Sequence, residues 1–150
     1  MKTKVPPPVW LVIAGVIMWF VARSEFAFPV VLPYALIFAI LLAALGITLG
    51  VLAGRQFKSV GTTTNPLKPE EASALVRGGV FELSRNPMYL GSLLVLTGWT
   101  LWLRSPNNIL ILVVYWLLIT ELQIKPEEAV LRTLFGEQYA DYSRDVRRWF

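Results

Sequence analysis

The stretch Ser84-Arg85-Asn86-Pro87-Met88-Tyr89-Leu90-Gly91 lies where a polar segment of the chain gives way to a hydrophobic one. Asn86 suits the N-cap of a helix and Pro87 suits its first turn, so a helix is predicted to begin here. The first N–H groups of a helix have no partner within it, so a carboxylate or phosphate could bind them beside Arg85. The simpler alternative, favoured by this stretch alone, is that Arg85 reaches toward lipid head groups and Asn86 and Pro87 only begin a helix.

The composition of the whole chain indicates an integral membrane protein. Hydrophobic residues make up 55% of the 150 residues and charged residues only 16%, and the mean hydropathy is +0.57. The apolar residues come in long runs, as in membrane-spanning helices. The chain has no Cys and no His, which excludes a thiolate nucleophile and removes the commonest general base and zinc ligand. No metal site is expected, and no basic helix with interleaved aromatic residues suggests a nucleic-acid partner.

Four apolar runs predict an all-α bundle with about four transmembrane helices in a single domain, 1–150. These runs cover residues 9–22, 30–53, 87–103 and 109–122. A polar loop, 55–84, and an amphipathic tail, 123–150, make up most of the remainder. The first run is also compatible with a secretory signal peptide. Trp10 and Trp19 near its ends are typical of anchors at a membrane interface and favour a spanning helix.

The distribution of basic residues predicts the orientation in the membrane. With four spans, both termini, the loop and the tail lie on the same side. Of the 14 Lys and Arg residues, only Arg23 and Arg104 fall on the opposite side. Because basic residues concentrate on the cytoplasmic side, the loop and tail are predicted to be cytoplasmic, in a bacterial inner membrane. The residues on that side are Lys2, Lys4, Arg55, Lys58, Lys68, Arg77, Arg85, Lys125, Arg132, Arg144, Arg147 and Arg148.

Small residues form a stripe on the second apolar run. Gly46, Gly50 and Gly54 recur every four residues and continue a series of alanines at 35, 39 and 43. On a helix these residues fall near one face, where they let another helix approach closely. The stripe therefore predicts close packing either within the bundle or between two copies in a homodimer.

A second cluster of polar residues lies in the tail that begins near Pro126. It includes Glu127 and Glu128, two tyrosines and the pair Arg147-Arg148. Each feature has a simpler explanation as a helix start, a surface ion pair, an interface aromatic or a contact with lipid head groups. On the same membrane face as Arg85, however, they suit a zwitterionic, ring-bearing cofactor and a lipid-like substrate.

These two motifs resemble those of a known family. The stretch 84–91 is followed by an apolar hairpin and then by Pro126-Glu127-Glu128-x-x-Leu131-x-x-x-Phe135-Gly136-x-x-Tyr139-x-x-Tyr142 and Arg147-Arg148-Trp149. In this order they resemble the isoprenylcysteine carboxyl methyltransferase family, which includes bacterial members and is related to phospholipid N-methyltransferases. The resemblance covers about the C-terminal two thirds of the chain, from Gly61 onward.

The resemblance implies a membrane methyltransferase that uses S-adenosylmethionine without a Rossmann domain. It places the cofactor on the cytoplasmic side. On the chemistry of their side chains, Arg148 and Glu128 are predicted to be the catalytic residues. Eukaryotic members have His where this chain has Asn86, and Gly-Pro-Tyr where it has Gly79-Val80-Phe81. The cofactor-binding residues that it implies are Arg85, Asn86, Pro87, Tyr89, Leu90, Gly91, Glu127, Glu128, Tyr139, Tyr142 and Arg147.

The chemistry of these residue types is compatible with that cofactor. Arg85 and the helix N-terminus suit its carboxylate, and Glu127 or Glu128 suits its ammonium or ribose hydroxyls. Tyrosine rings suit the sulfonium or the adenine. Methyl transfer to a carboxylate needs no proton removed, so positioning and desolvation would suffice in a chain without His or Cys. Arg148 is predicted to orient the acceptor carboxylate.

The acceptor expected from the resemblance is a carboxylate of an isoprenylcysteine-like compound embedded in the membrane. Alternatives within methyl transfer are a phospholipid amine or a thiol. A membrane reductase that uses a nicotinamide cofactor is a further alternative, since sterol reductases share a related C-terminal pattern. A non-catalytic scaffold that dimerises through Gly46, Gly50 and Gly54 is the last one.

Overall fold

The computed structural model describes residues 5–25, 30–63 and 68–150, and within these ranges the chain is helical with no strand. The all-α prediction is therefore confirmed for the described part. Lys2 and Lys4, used in the orientation prediction, and residues 64–67 of the loop lie outside the described residues. The α-helices are α1 Pro7–Val21, α2 Ala35–Val60, α3 Val80–Leu83, α4 Pro87–Leu103, α5 Asn108–Ile119 and α6 Lys125–Asp145.

Among the described residues, two helices are long and apolar enough to cross a membrane: α2 and the continuous helix Asn108–Asp145. Helices α1 and α4 are apolar but shorter, so the predicted count of four full spans is not established by length. Many large side chains on the outer face of α2 are exposed, such as Phe38 and Ile47. An exposed face of this kind suits contact with lipid.

Helix α1 is part of the bundle core. Met18 is fully buried and Ala14 nearly so, and both pack in a cluster with Leu96 and Ile119. The indole of Trp99 on α4 donates a hydrogen bond to the carbonyl of Gly15, at 3.1 Å. The first apolar run therefore packs as a structural helix.

Helices α2 and α4 pack closely through small residues. A Cβ atom built on Gly46 would lie 2.4 Å from the carbonyl oxygen of Gly91, and one built on Gly91 would lie 2.4 Å from that of Gly46. Further along, a Cβ on Gly98 would lie 2.7 Å from the carbonyl oxygen of Ala39. The stripe therefore serves packing within the chain at Gly46. Cβ positions at Gly50 and Gly54 are open, and contact with a second copy stays a prediction there.

Helix α5 continues into α6 across the boundary between the span predicted at 109–122 and the tail predicted at 123–150. A π-helical turn, Thr120–Ile124, joins them, and the N–H of Lys125 donates to the carbonyl of Thr120. The wider turn accommodates Pro126, which cannot donate a backbone hydrogen bond and would clash in a regular helix interior. Gly136 has φ 49° and interrupts α6 with a kink.

Candidate functional site

Glu128, on the first turn of α6, binds two arginines. Its carboxylate accepts hydrogen bonds from Nε and Nη2 of Arg148, at 2.9 and 2.6 Å. Nη2 of Arg85 lies 3.1 Å from the same carboxylate. The side chains of Arg85 and Glu128 are only 11% and 8% exposed, so each charge depends on the other for compensation. The hydrogen bond to Glu128 also raises the pKa of Arg148.

The chain just before α4 holds the C-terminal segment in place. The backbone N–H of Arg85 donates to the carbonyl of Arg147 at 3.0 Å. The hydroxyl of Ser84 and the amide Nδ2 of Asn86 both donate to the carbonyl of Arg148, at 3.2 and 2.9 Å. Asn86 is the N-cap residue of α4, as predicted, but its side chain makes no capping hydrogen bond. The amide instead binds the chain that carries Arg148.

A second acidic residue, Glu127, lies beside Glu128 and faces α4. Its carboxyl group accepts a hydrogen bond from the hydroxyl of Tyr89, at 2.5 Å. Burial raises the pKa of Glu127, the Tyr89 hydrogen bond lowers it and the charge of Glu128 raises it, which together give a pKa of about 8. Near neutral pH the side chain is therefore mostly protonated, whereas Glu128 is ion-paired with its two arginines.

Tyr139 and Tyr142 follow the kink at Gly136 and form an aromatic wall. Their ring centroids lie 6.3 Å apart in an edge-to-face arrangement. The hydroxyl of Tyr142 donates to the carbonyl of Phe81 at 2.7 Å, which ties α6 to α3. Burial raises the pKa of Tyr139 to about 12 and also raises the pKa of Tyr142. Both rings are thus neutral at physiological pH.

A cavity of about 390 Å³ opens between these groups. Its volume falls in the range of roughly 300–1,000 Å³ that is usual for small-molecule sites. Eight of the predicted cofactor-binding residues line it: Arg85, Asn86, Pro87, Tyr89, Glu127, Glu128, Tyr139 and Tyr142. Most of the remaining wall is apolar, as expected for a site that must exclude water.

The four other predicted site residues do not line the cavity. Leu90 packs against the hydrophobic core, and Gly91 lies against Gly46 of α2. Arg147 has an exposed side chain and contributes its carbonyl group to Arg85. Arg148 reaches the site through its ion pair with Glu128.

Several lining residues were not predicted from the sequence. Ser92 lies one helical turn after Tyr89, a spacing that could have indicated it. Its hydroxyl donates to the carbonyl of Tyr89 at 2.7 Å and accepts a hydrogen bond from Tyr115 at 2.8 Å. Tyr115 and the prolines Pro7 and Pro8 also line the cavity. Their sequence neighbourhoods contain no signal for it, because only tertiary packing brings α1 and α5 here.

The start of α1 is held against the cavity by the π-helical turn. Gln123 is buried, and its amide Nε2 donates to the carbonyl of Val5 at 2.8 Å. This bond joins the segment before Pro7 to the turn that precedes Glu127. The unusual turn therefore both accommodates Pro126 and fixes one wall of the site.

Comparison with known proteins matches residues 34–138 to the family model described as phospholipid methyltransferase. The match covers more than half of the chain and includes the cavity residues from Arg85 to Glu128. This chain belongs to the phospholipid methyltransferase family. The family match ends before Tyr139 and begins after α1, so those two walls of the site lie outside it.

Individual relatives agree with this family. Protein-S-isoprenylcysteine O-methyltransferase B of Arabidopsis thaliana is 35% identical over 97 residues, which are 64% of this chain and 47% of the relative. Protein-S-isoprenylcysteine O-methyltransferase of Saccharomyces cerevisiae is 33% identical over 95 residues, 63% of this chain and 38% of the relative. An uncharacterized protein of Haemophilus influenzae is 44% identical over 62 residues, 41% of this chain and 98% of the relative. The match to these two methyltransferases thus spans less than half of their length.

The residues around the cavity fit a cofactor of the S-adenosylmethionine type. Among the described residues, Nε of Arg85 is buried without a hydrogen-bond partner. This N–H group, on a residue that lines the cavity, could donate a hydrogen bond to a ligand. Glu127 offers an acceptor for an ammonium or hydroxyl group, and the tyrosine rings offer neutral aromatic faces. This donor set matches the carboxylate, ammonium and adenine of such a molecule.

Proposed function

We propose that the protein is an S-adenosylmethionine-dependent methyltransferase that acts on a membrane-embedded amphiphile, with the carboxylate of an isoprenylcysteine-like compound as the acceptor. The observation that carries the proposal is the cavity in which Arg85, Glu127 and the two tyrosines of α6 converge, within a chain of the phospholipid methyltransferase family. Family membership supports methyl transfer over nicotinamide-dependent reduction and over a purely structural role.

In this proposal each group of the cavity has a binding task. Nε of Arg85 and the first turn of α4 bind the cofactor carboxylate. Glu127 accepts hydrogen bonds from the ammonium or the ribose hydroxyls. Tyr139 and Tyr142 cover the adenine or face the sulfonium through their ring electrons. Asn86 fixes the C-terminal segment, and Glu128 holds Arg85 and Arg148 in position.

S-adenosylmethionine, when bound, supplies a methyl group attached to a positively charged sulfur. The sulfur is the leaving group and becomes a neutral thioether. A carboxylate acceptor forms the new O–C bond as the C–S bond breaks, and the electron pair of that bond stays on sulfur. No proton is transferred, so the protein needs only to align the two reactants and exclude water. Arg148 lies near enough to the site, through Glu128, to attract an acceptor carboxylate toward it.

A phospholipid amine is a second candidate acceptor, favoured by the environment of Glu127. An ammonium must lose a proton before it can be methylated. A carboxylate whose pKa is about 8 can take that proton, because its proton affinity is much nearer to that of an amine than usual. Glu127 would then act as a general base in addition to binding.

Calorimetric titration of the detergent-purified protein with S-adenosylhomocysteine tests the cofactor. Micromolar binding that is lost in Arg85→Ala, but kept in the exposed control Arg144→Ala, is expected. Arg148 still pairs with Glu128 in Arg85→Ala, so this variant should fold. Equal affinity in both variants, or no binding by the folded wild type, would overturn the proposal.

Base treatment of the labelled product distinguishes the two acceptors. A methyl ester, formed on a carboxylate, releases its label as volatile methanol in mild alkali. A methylated amine keeps the label. Retention of the label after treatment would exclude the carboxylate as the acceptor and favour the amine or a thiol.

A further inference from the structure

A wide apolar groove runs along the bundle beside the candidate site. It lies between α1, α2 and α4 and has a volume of about 690 Å³. Its walls include Leu11 and Gly15 of α1, Ala39 and Ala43 of α2, and Val95 and Trp99 of α4. The small residues Gly15, Ala39 and Ala43 leave the space that larger side chains would fill.

The groove adjoins the candidate cofactor cavity. Leu11 lines both. On α1 the cavity wall is formed by Pro7 and Pro8, and the groove wall continues from Leu11 to Gly15. On α4, Ser92 lines the cavity, and the groove wall begins one helical turn later at Val95. A molecule with a polar head in the cavity could therefore extend its tail into the groove.

We propose that this groove holds the hydrocarbon tail of the methyl acceptor and that α1 selects which tails fit. The inference rests on the proposed methyltransferase function. Helix α1 lies outside the residues matched by the family model, 34–138. The wall formed by Leu11 and Gly15 therefore lies beyond the matched region, and in this proposal it sets which tails fit.

The groove positions the tail more than it drives binding. A hydrocarbon tail in the bilayer is already in apolar surroundings, so its transfer to a groove of Leu, Val and Trp changes its hydration little. What the groove supplies is a fixed direction, which places the polar head at Leu11, facing the cavity. Alignment of this kind raises the rate of transfer to a correctly held acceptor.

The far part of the groove is lined by aromatic rings. Trp19 and Phe20 of α1 and Trp102 of α4 all lie on its wall. The guanidinium of Arg23 stacks on the Trp19 ring, 3.9 Å from its centroid. Leu11 and Trp19 are eight residues apart, or roughly 12 Å along a helix. The groove is thus long enough to distinguish tails by length.

A larger side chain at Gly15 would fill the groove and so test its role. A Cβ atom at Gly15 would meet no other atom within 4 Å, so Gly15→Leu occupies the groove without displacing the helices. Gly54→Leu is a matched control. Its Cβ position is equally open, it lies on α2, and it does not line the groove.

The direct experiment uses N-acetyl-S-farnesylcysteine with a photoactivatable diazirine at the end of the tail, added to the full-length protein in bilayer nanodiscs. Cross-links mapped by mass spectrometry should concentrate on Gly15–Phe20 and on Val95–Trp102, and should fall at least about tenfold in Gly15→Leu. Gly54→Leu should keep the wild-type pattern. Cross-links spread over all lipid-facing helices, or unchanged in Gly15→Leu, would show that ordinary bilayer lipid fills the groove and would overturn the proposal.

A kinetic comparison separates this inference from the proposed function. The ratio of kcat/KM for the S-farnesyl compound to that for its S-dimethylallyl counterpart should fall at least about tenfold in Gly15→Leu, while the affinity for S-adenosylhomocysteine stays the same. Failure of the wild type to bind S-adenosylhomocysteine would overturn the methyltransferase function. Normal cofactor binding with an unchanged ratio would overturn only the role of the groove.

Discussion

At the scale of single residues, the two adjacent acidic residues of α6 have opposite environments. Glu128 is buried between Arg85 and Arg148, whereas Glu127 faces the hydroxyl of Tyr89. The sequence alone does not show which of two neighbouring glutamates is ion-paired. Consecutive residues on a helix point about 100° apart, so one can face the arginines while the other faces Tyr89.

The raised pKa of Glu127 predicts a pH dependence of stability. A carboxyl group with a folded pKa of about 8 and an ordinary unfolded pKa binds its proton more tightly when folded. It therefore stabilises the protein below its unfolded pKa and loses that contribution as pH rises through about 8. Thermal unfolding of the cofactor-free protein should show a loss of at most about 5 kcal/mol across this window. Glu127→Gln should flatten the curve, and the exposed Glu137→Gln should not.

The same titration predicts how cofactor affinity changes with pH. If ionised Glu127 accepts the cofactor ammonium, binding at pH 6 must first remove its proton. The affinity for S-adenosylhomocysteine should then rise roughly tenfold per pH unit until about pH 8. In Glu127→Gln the affinity should be lower and should not depend on pH in this range. An affinity of the wild type that is constant from pH 6 to pH 8 would contradict the assigned role of this carboxylate.

Loss of the buried carboxylate at 128 should cost far more stability than loss of an exposed one. Glu128→Ala leaves Arg85 without its counter-charge in a nearly buried position, which costs about 3–5 kcal/mol. Glu121→Ala on the adjoining π-helical turn also removes an ion pair, with Lys125 at 2.5 Å. That pair is about half exposed, so its loss should cost no more than about 1 kcal/mol. Chemical denaturation in detergent measures both, and equal losses would contradict the central role of Glu128.

At the scale of elements, α2 and α4 approach closely where two glycine backbones meet. A methyl group at Gly46 would fall 2.4 Å from the carbonyl oxygen of Gly91. Because both partners are backbone, the clash can be relieved only by moving one helix. Glycine here serves close approach, and Gly91, predicted as a cofactor residue from its place in the motif, lies in this contact.

Gly46→Ala is expected to destabilise the bundle by about 1–3 kcal/mol. Gly50→Ala, one turn later on α2, places its methyl group in open space. It should be neutral or slightly stabilising, because alanine favours a helix over glycine. The midpoint of thermal or denaturant unfolding checks both variants. If the two variants were equally stable, the assigned helix–helix contact would be wrong.

At the scale of the whole molecule, the cavity is assembled from parts that are distant in sequence. The chain before α4, the start of α6 and the C-terminal segment meet through Ser84, Arg85, Asn86, Glu128 and Arg148. Arg148 lies only two residues from the end of the described chain. The C-terminal segment is therefore a structural part of the site.

The orientation of the bundle can be tested because the chain contains no cysteine. Single cysteines at the exposed positions Glu25 and Asp145 report the two sides. In right-side-out vesicles, a membrane-impermeant maleimide should label Glu25→Cys and spare Asp145→Cys until the membrane is permeabilised. The predicted topology has three membrane crossings between these two positions, which places them on opposite sides. Labelling of both from the same side would contradict that topology.

The sequence by itself determined the all-α class, the helix that begins at Pro87 and the residue types needed for the site. These follow from local chemistry, since apolar runs, an X-Pro start and paired carboxylates are visible without the fold. The resemblance to a known family implied the individual cofactor residues, and eight of them line the cavity. The assigned cofactor contacts themselves remain predictions.

Only the tertiary structure decided which partners these residues meet. In the fold, Asn86 donates a hydrogen bond to the carbonyl of Arg148, and Glu128 lies between two arginines. Gly91 packs against the backbone of Gly46. The fold also brought α1 and Tyr115 to the cavity wall and joined α5 to α6 through a π-helical turn. The physical reason is that periodicity reveals which face of a helix is apolar, whereas the neighbour of that face depends on the side-chain volumes of every helix in the bundle.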